Sequence, residues 1–163
     1  MLFISREIIL EEDLTTDLMV LQSHLDGMLE RVKSNSTTLR RFQMFEMGLL
    51  NLNSLAEMLE YVLDAQDFFD LDYIGFRLID AKSELQSYLL EDGFNIAKQP
   101  RLIILDNNEV LQATFGCSIN PYLGLYKTAK CADFFSIDKH KPASVAIIPL
   151  VRRGRFMGAL SMG

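Results

Sequence analysis

The clearest pattern along the chain is an apolar repeat in its first third. Eleven positions are spaced alternately four and three residues apart: Leu14, Leu18, Leu21, Leu25, Met28, Val32, Asn35, Leu39, Phe42, Glu46 and Leu49. Nine of these eleven positions are apolar. This is the spacing of a helix whose apolar stripe follows a left-handed coiled-coil seam. Asp26, Glu30 and Lys33 lie between these positions, so the opposite face is polar. We therefore predict an amphipathic dimerisation helix over residues 14–52, preceded by an N-terminal segment at residues 1–13.

Two questions about this helix have alternative answers: whether it is continuous, and what its apolar stripe packs against. Asn35 lies among the poor helix formers of residues 34–38, where it either breaks the helix or acts as a polar seam residue; we favour one long helix. The stripe could also pack on its own domain, but about 35 helical residues extend roughly 50 Å, well past one small domain. We therefore favour a parallel homodimer, with seven seam residues: Leu18, Leu21, Leu25, Met28, Val32, Leu39 and Phe42.

The remaining residues, 53–163, alternate between short helical and strand patterns. Helices are predicted after a cap at Asn53 and within residues 82–91 and 107–115, and strands over residues 73–80 and 101–105. A long connection containing residues 120–126 follows. The chain then carries two strand-like segments, 143–151 and 156–162, joined by an Arg-Arg-Gly-Arg turn that predicts a hairpin. This order predicts an α+β fold with helices against one face of an antiparallel sheet.

Composition and charge narrow the class of protein. The chain has 163 residues, of which 49% are hydrophobic and 23% are charged, as expected of a globular protein. No apolar run approaches the roughly 18 residues of a membrane span, and two cysteines suit a reducing compartment, so we expect a cytoplasmic protein. The net charge of −6 argues against a nucleic-acid binder. Basic residues nevertheless concentrate near the C-terminus, as a solvated face or a surface for an acidic partner: Lys127, Lys130, Lys139, Lys141, Arg152, Arg153 and Arg155.

The sequence predicts no catalytic residue, metal ligand or cofactor. His24 and His140 stand in no metal-binding pair, and no phosphate loop, dinucleotide-binding glycine pattern or nucleophile elbow occurs. Cys117, beside Gly116, is either a reactive thiol or an ordinary buried residue, and we favour the second. An enzyme would have to use this thiol or an acid in a pocket.

Residue types that often bind small molecules are concentrated in one loop-rich region, residues 115–135. Aromatic side chains alternate there with a few polar groups, as in small-molecule pockets, although the same aromatics could simply fill the sheet face. Arg77 lies in a predicted strand and faces away from Phe76 and Leu78, either into solvent or into a pocket. The candidate ligand-binding residues are Arg77, Phe115, Asn120, Tyr122, Tyr126 and Lys127.

Two segments resemble a known family. Residues 120–124 (NPYLG) and 142–163 (PASVAIIPLVRRGRFMGALSMG) are similar to a GAF-like regulatory domain found alone or at the N-terminus of GGDEF diguanylate cyclases. The pattern PLVxxGxxxG recurs across GAF domains, and the order of elements from residue 18 onward matches the family. The resemblance implies a non-catalytic sensory or regulatory dimer whose sheet can cup an unidentified small molecule.

The resemblance also implies what lies beyond the chain. A closing helix and a GGDEF output domain follow such domains, so we expect the GAF-like domain at residues 53–163 to be truncated at its C-terminus. The longer parent protein would then act in cyclic-di-GMP signalling. The alternative is a stand-alone GAF-type small-molecule-binding protein without an output domain.

Overall fold

The chain divides into a helical unit and a sheet unit. The computed structural model describes the backbone of residues 2–116, 118–135 and 141–163, with side chains from residue 15 onward. The two compact units are Met1–Leu50 and Asn51–Gly163. The first holds one long helix and the second a five-stranded sheet with flanking helices, which confirms the α+β class. Among the described residues, none of the helices has an apolar stretch that could cross a bilayer.

The long helix α1 is continuous over Leu2–Leu50. It begins earlier than the predicted residue 14, so the segment set apart at residues 1–13 is helical from Leu2. The helix passes through Asn35 without a break, which confirms the single helix. Near this point the Thr37 hydroxyl donates to the Lys33 carbonyl oxygen at 3.0 Å. This bond satisfies the hydroxyl within the helix, so it does not compete with the helical backbone for a turn.

Three further helices of seven residues or more belong to the sheet unit: α2 (Leu55–Asp64), α3 (Glu84–Glu91) and α4 (Glu109–Phe115). The predicted cap of α2 is corrected by one residue, because Ser54 rather than Asn53 caps it. The Glu57 amide donates to the Ser54 Oγ at 3.1 Å, while the Glu57 carboxylate accepts from the Asn53 amide at 2.8 Å. This arrangement is close to a capping box, and it satisfies two amides at the start of the helix.

The sheet is mixed, which corrects the prediction of an antiparallel sheet. Its five strands are β1 (Ile74–Ile79), β2 (Leu102–Leu105), β3 (Tyr122–Leu125), β4 (Ser144–Arg152) and β5 (Arg155–Met162). Their order in the sheet is β2-β1-β5-β4-β3, and β1 pairs in parallel with β2. All other neighbours are antiparallel. Strands β1 and β2 can pair in parallel because the connection between them is long. It contains α3 and a 3-10 turn at Ile96–Lys98, which is enough for the crossover that parallel strands need.

Three short elements after α4 were not predicted from the sequence. Strand β3 (Tyr122–Leu125) pairs with the following strand at the sheet edge, within the predicted long connection. Helix α5 (Thr128–Cys131) and a 3-10 turn at Ala132–Phe134 come next. Strand β3 has four residues, includes Gly124 and is mostly exposed, so it shows neither the length nor the apolar alternation of a strand.

The C-terminal hairpin is confirmed, with strands β4 (Ser144–Arg152) and β5 (Arg155–Met162). Arg153 and Gly154 form the two-residue turn, and both have positive φ angles, 51° and 74°, as a type I′ turn requires. A Cβ on Gly158 would collide with the Arg77 carbonyl oxygen. The two glycines of the PLVxxGxxxG pattern therefore serve the turn and the close approach of β5 to β1.

One face of the sheet carries a continuous core. It is covered by α4, α5 and the 3-10 turn at Ala132–Phe134. Aromatic rings dominate this core, so the sheet face is filled by side chains. Its buried members are Tyr73, Leu111, Phe115, Cys131, Phe134, Phe135, Val145, Ile147 and Ala159.

Candidate functional site

The apolar stripe of α1 is exposed from Leu18 to Phe42. The seven predicted seam side chains are between 50% and 63% exposed. Apolar surface is therefore in contact with water at regular intervals along the helix, and large apolar side chains off the stripe, such as Met19, Leu29 and Met44, are exposed to a similar extent. Such a contiguous apolar surface is typical of an interaction site, whereas single exposed apolar residues need no explanation.

Two polar residues interrupt this stripe. Asn35 and Glu46 occupy seam positions and are both exposed. In a parallel pair in register, each seam residue faces its own copy, so asparagine would meet asparagine and glutamate would meet glutamate. An asparagine in the seam fixes register at a cost in stability, and a glutamate pair disfavours close approach at that end of the stripe.

Three of the six candidate ligand-binding residues come together on the aromatic core. Phe115 is buried and stacks on Phe156 with ring centroids 5.9 Å apart. Tyr122 and Tyr126 are half-buried and pack against the same cluster. The Tyr122 hydroxyl donates to the Leu125 carbonyl oxygen at 3.0 Å. These rings fill the sheet face, which is the alternative that the sequence analysis left open.

Asn120 and Lys127 are exposed, on the connections at either end of β3. The Asn120 amide donates to the Ser118 hydroxyl at 3.1 Å, and the Lys127 amide donates to the Cys131 sulfur at 3.4 Å. Both contacts use the backbone and shape their own loops. The structure therefore brings three of the six predicted residues together on the core and leaves Asn120 and Lys127 on the surface.

Arg77 lies neither in solvent nor in an open pocket, which corrects both predicted placements. It is only 1% exposed, and its Nε donates to the Asp133 carbonyl oxygen at 2.8 Å. A terminal guanidinium nitrogen donates to the Phe76 carbonyl oxygen at 3.1 Å. Burial lowers the pKa of Arg77, and the charge and hydrogen bond of Tyr73 oppose this shift.

Arg77 hydrogen-bonds the 3-10 turn at Ala132–Phe134 to the sheet. Asp133 lies in the 3-10 turn at Ala132–Phe134, whose Phe134 carbonyl oxygen also accepts a hydrogen bond from the Ser161 hydroxyl at 2.8 Å. The two polar side chains therefore hold this turn from β1 and β5. We assign Arg77 a positioning role in the core, because its guanidinium is enclosed by protein groups.

The basic C-terminal residues lie on exposed positions where the structure describes them, whereas Lys139 lies outside the described residues. Lys130 and Lys141 place their Nζ atoms 5.4 Å and 5.5 Å from the ring centroids of Tyr122 and Tyr126. These cation–π contacts join two exposed lysines to two half-buried tyrosines.

The described ranges contain one of the two cysteines and one of the two histidines. They hold no group of three histidine, cysteine, aspartate or glutamate side chains that could bind a metal ion. Cys131 is buried, while Cys117 and His140 lie outside the described residues.

An open cleft of about 720 Å³ lies at one end of the sheet, and the sequence analysis did not find it. Asp106, Asn107 and Asn108 follow β2 directly and line one side, while Arg155 and Phe156 line another. Polar side chains that follow the carboxyl end of a parallel strand are a recognised sign of a binding crevice. The cleft could not be predicted in this way, because the sequence does not show that β2 pairs in parallel.

Comparison with known proteins leaves the family unassigned. No protein-family model matches the chain, and no curated protein is significantly similar to it. The resemblance to GAF-like domains therefore stays a prediction from sequence motifs.

Proposed function

We propose that this chain is a non-catalytic sensory or regulatory module that pairs with a second copy of itself through α1. The observation that carries the proposal is the apolar stripe, which is more than half exposed at Leu18, Leu21, Leu25, Met28, Val32 and Leu39. Burying each such side chain against a partner helix gains about 1–2 kcal/mol. A helix of identical sequence supplies a stripe with the same spacing, so every apolar residue gains an apolar neighbour.

Substitution within the stripe tests the pairing. Leu25→Glu places two like charges in an apolar interface, and we expect it to convert a dimer to a monomer in sedimentation at micromolar concentration. Glutamate is a good helix former, so the helix itself is retained. Ser23→Glu adds the same charge on the polar face and serves as the matched control, which should stay dimeric.

Two results would contradict the pairing. A monomeric mass for the unsubstituted chain removes the proposal. A dimeric mass that Leu25→Glu leaves unchanged shows that the copies associate through another surface.

The output of the module is proposed to be an attached diguanylate cyclase domain. Support for this part comes from the PLVxxGxxxG hairpin and the resemblance it carries. Two cyclase active sites must meet across a dimer, and a parallel helix pair would control their approach. We expect the full-length gene product to convert GTP to cyclic-di-GMP, and Leu25→Glu but not Ser23→Glu to abolish this conversion. Absence of GTP conversion in the unsubstituted protein would contradict the cyclase output.

A stand-alone small-molecule-binding protein is the second candidate, and the cleft of about 720 Å³ favours it. Its size lies within the range of about 300–1,000 Å³ that small-ligand sites occupy. The two candidate functions differ only in whether a diguanylate cyclase domain is attached. Ligand binding together with a full-length gene product that does not act on GTP would support the second.

A further inference from the structure

The cleft at the end of the sheet brings opposite charges to its two sides. The strand order β2-β1-β5 places the end of β1 between Asp106, which follows β2, and Arg155, which begins β5. The registers Ile79↔Leu105 and Leu78↔Gly158 put both charged residues just beyond the end of β1. Two strand spacings separate their backbones, which is about 10 Å.

Neither charge is neutralised by a neighbour. Within the described ranges, Asp106 and Arg155 have no ion-pair partner, and both residues are exposed. Asn108 and Gln112, whose side chains carry primary amides, also line the cleft. Each amide carries both donors and an acceptor, so it can bind a peptide-like group from either side.

An apolar wall completes the cleft. Ile79, Val151 and Phe156 line it, and the ring of Phe156 is fixed by its stacking on the buried Phe115 at 5.9 Å. This wall is therefore continuous with the core. It offers an apolar side chain of a ligand a firm surface next to both charges.

The hairpin beside the cleft is built at a local cost in stability. Arg152 and Arg155 are cross-strand partners, so two like charges lie directly opposite each other. Arg153 adopts a φ of 51°, which is uncommon for a residue with a side chain. A register shift between Leu150 and Val151 adds a bulge, a feature that re-aims side chains near binding sites. Such costs concentrate at functional sites.

We propose that this cleft binds a small zwitterion of dipeptide size that carries an apolar side chain. Arg155 takes the carboxylate through its planar guanidinium, and Asp106 accepts hydrogen bonds from the ammonium group. The amides of Asn108 and Gln112 bind the peptide group, and the apolar wall holds the side chain. The inference deepens the sensory part of the proposed function and rests on it for its biological meaning.

Calorimetric titration of the whole chain with the dipeptide leucyl-leucine tests the site. We expect saturable binding, one dipeptide per chain. Acetylation of the dipeptide amine, or conversion of its carboxylate to an amide, should each weaken binding by about tenfold or more, because each removes a charged hydrogen-bonding group. Binding weaker than about 1 mM overturns the proposal.

Two variants test which residue binds the carboxylate of the dipeptide and which binds its ammonium group. Arg155→Gln should weaken leucyl-leucine by about tenfold and abolish the preference for a free carboxylate over the amide. Asp106→Asn should abolish the preference for a free amine over the acetylated form. Arg152→Gln, on the cross-strand partner outside the cleft, is the matched control and should retain the affinity of the unsubstituted chain.

The outcomes separate this site from the pairing of α1. Dipeptide binding that both cleft variants leave unchanged overturns the assignment of the site, as does equal binding of the blocked dipeptides. Sedimentation of the same samples reports pairing independently, so a monomeric chain that binds the dipeptide contradicts the pairing alone.

Discussion

At the scale of the residue, the buried hydrogen bonds of Arg77 contribute to the stability of the sheet unit. Its guanidinium is buried and donates to the carbonyl oxygens of Asp133 and Phe76. Arg77→Met retains an apolar stem but leaves these buried groups short of a donor, which costs about 1–3 kcal/mol in the free energy of unfolding. The cost of desolvating the guanidinium is relieved at the same time, so we expect a loss of about 2 kcal/mol by urea denaturation.

An exposed arginine provides the control for this loss. Arg152→Met should change the free energy of unfolding by no more than about 0.5 kcal/mol. An Arg77→Met variant as stable as the original chain would show that the hydrogen bonds of the guanidinium only compensate for its desolvation.

At the scale of the element, local patterns were predictable and long-range pairing was not. The β4–β5 hairpin and α1 follow from alternation, a two-residue turn and a helical repeat, all within neighbouring residues. The parallel pairing of β2 and the edge strand β3 depend on distant segments, so no local pattern indicates them.

The candidate sites follow the same division. The apolar stripe could be predicted because its residues share one helix. The burial of Arg77 depends on a turn 56 positions away in the chain, and the cleft combines residues that follow β2 with residues of the hairpin. Neither feature has a sequence pattern of its own.

The hairpin turn provides a prediction at this scale. Arg153 holds a left-handed conformation, which costs a residue with a side chain about 1–2 kcal/mol, whereas asparagine tolerates it better. Arg153→Asn creates the asparagine–glycine pair preferred in type I′ turns, and should raise the free energy of unfolding by about 0.5–1 kcal/mol. Thermal unfolding monitored by circular dichroism measures the gain. A lower melting temperature would contradict the turn assignment.

At the scale of the whole molecule, the proposed pairing has a direction, and this direction would determine which output the chain can regulate. In a parallel pair the two sheet units follow α1 at the same end of the helix pair, whereas an antiparallel pair places them at opposite ends. Only the parallel arrangement brings the segments that follow the two helices close enough to regulate a shared output. The sequence supports this direction through Asn35, which meets its own copy when the helices are parallel and in register.

Cysteine cross-linking distinguishes the two directions. In the parallel pair Met28 faces the Met28 of the second copy, so Met28→Cys should form an intermolecular disulfide on mild oxidation, seen as a dimer on a non-reducing gel. In an antiparallel pair the two cysteines face other residues and stay apart. Ser23→Cys, on the polar face, is the matched control, and the unsubstituted chain gives the background from Cys117 and Cys131. A dimeric mass in sedimentation without a disulfide would exclude the parallel pair, and with it the control of a shared output through α1.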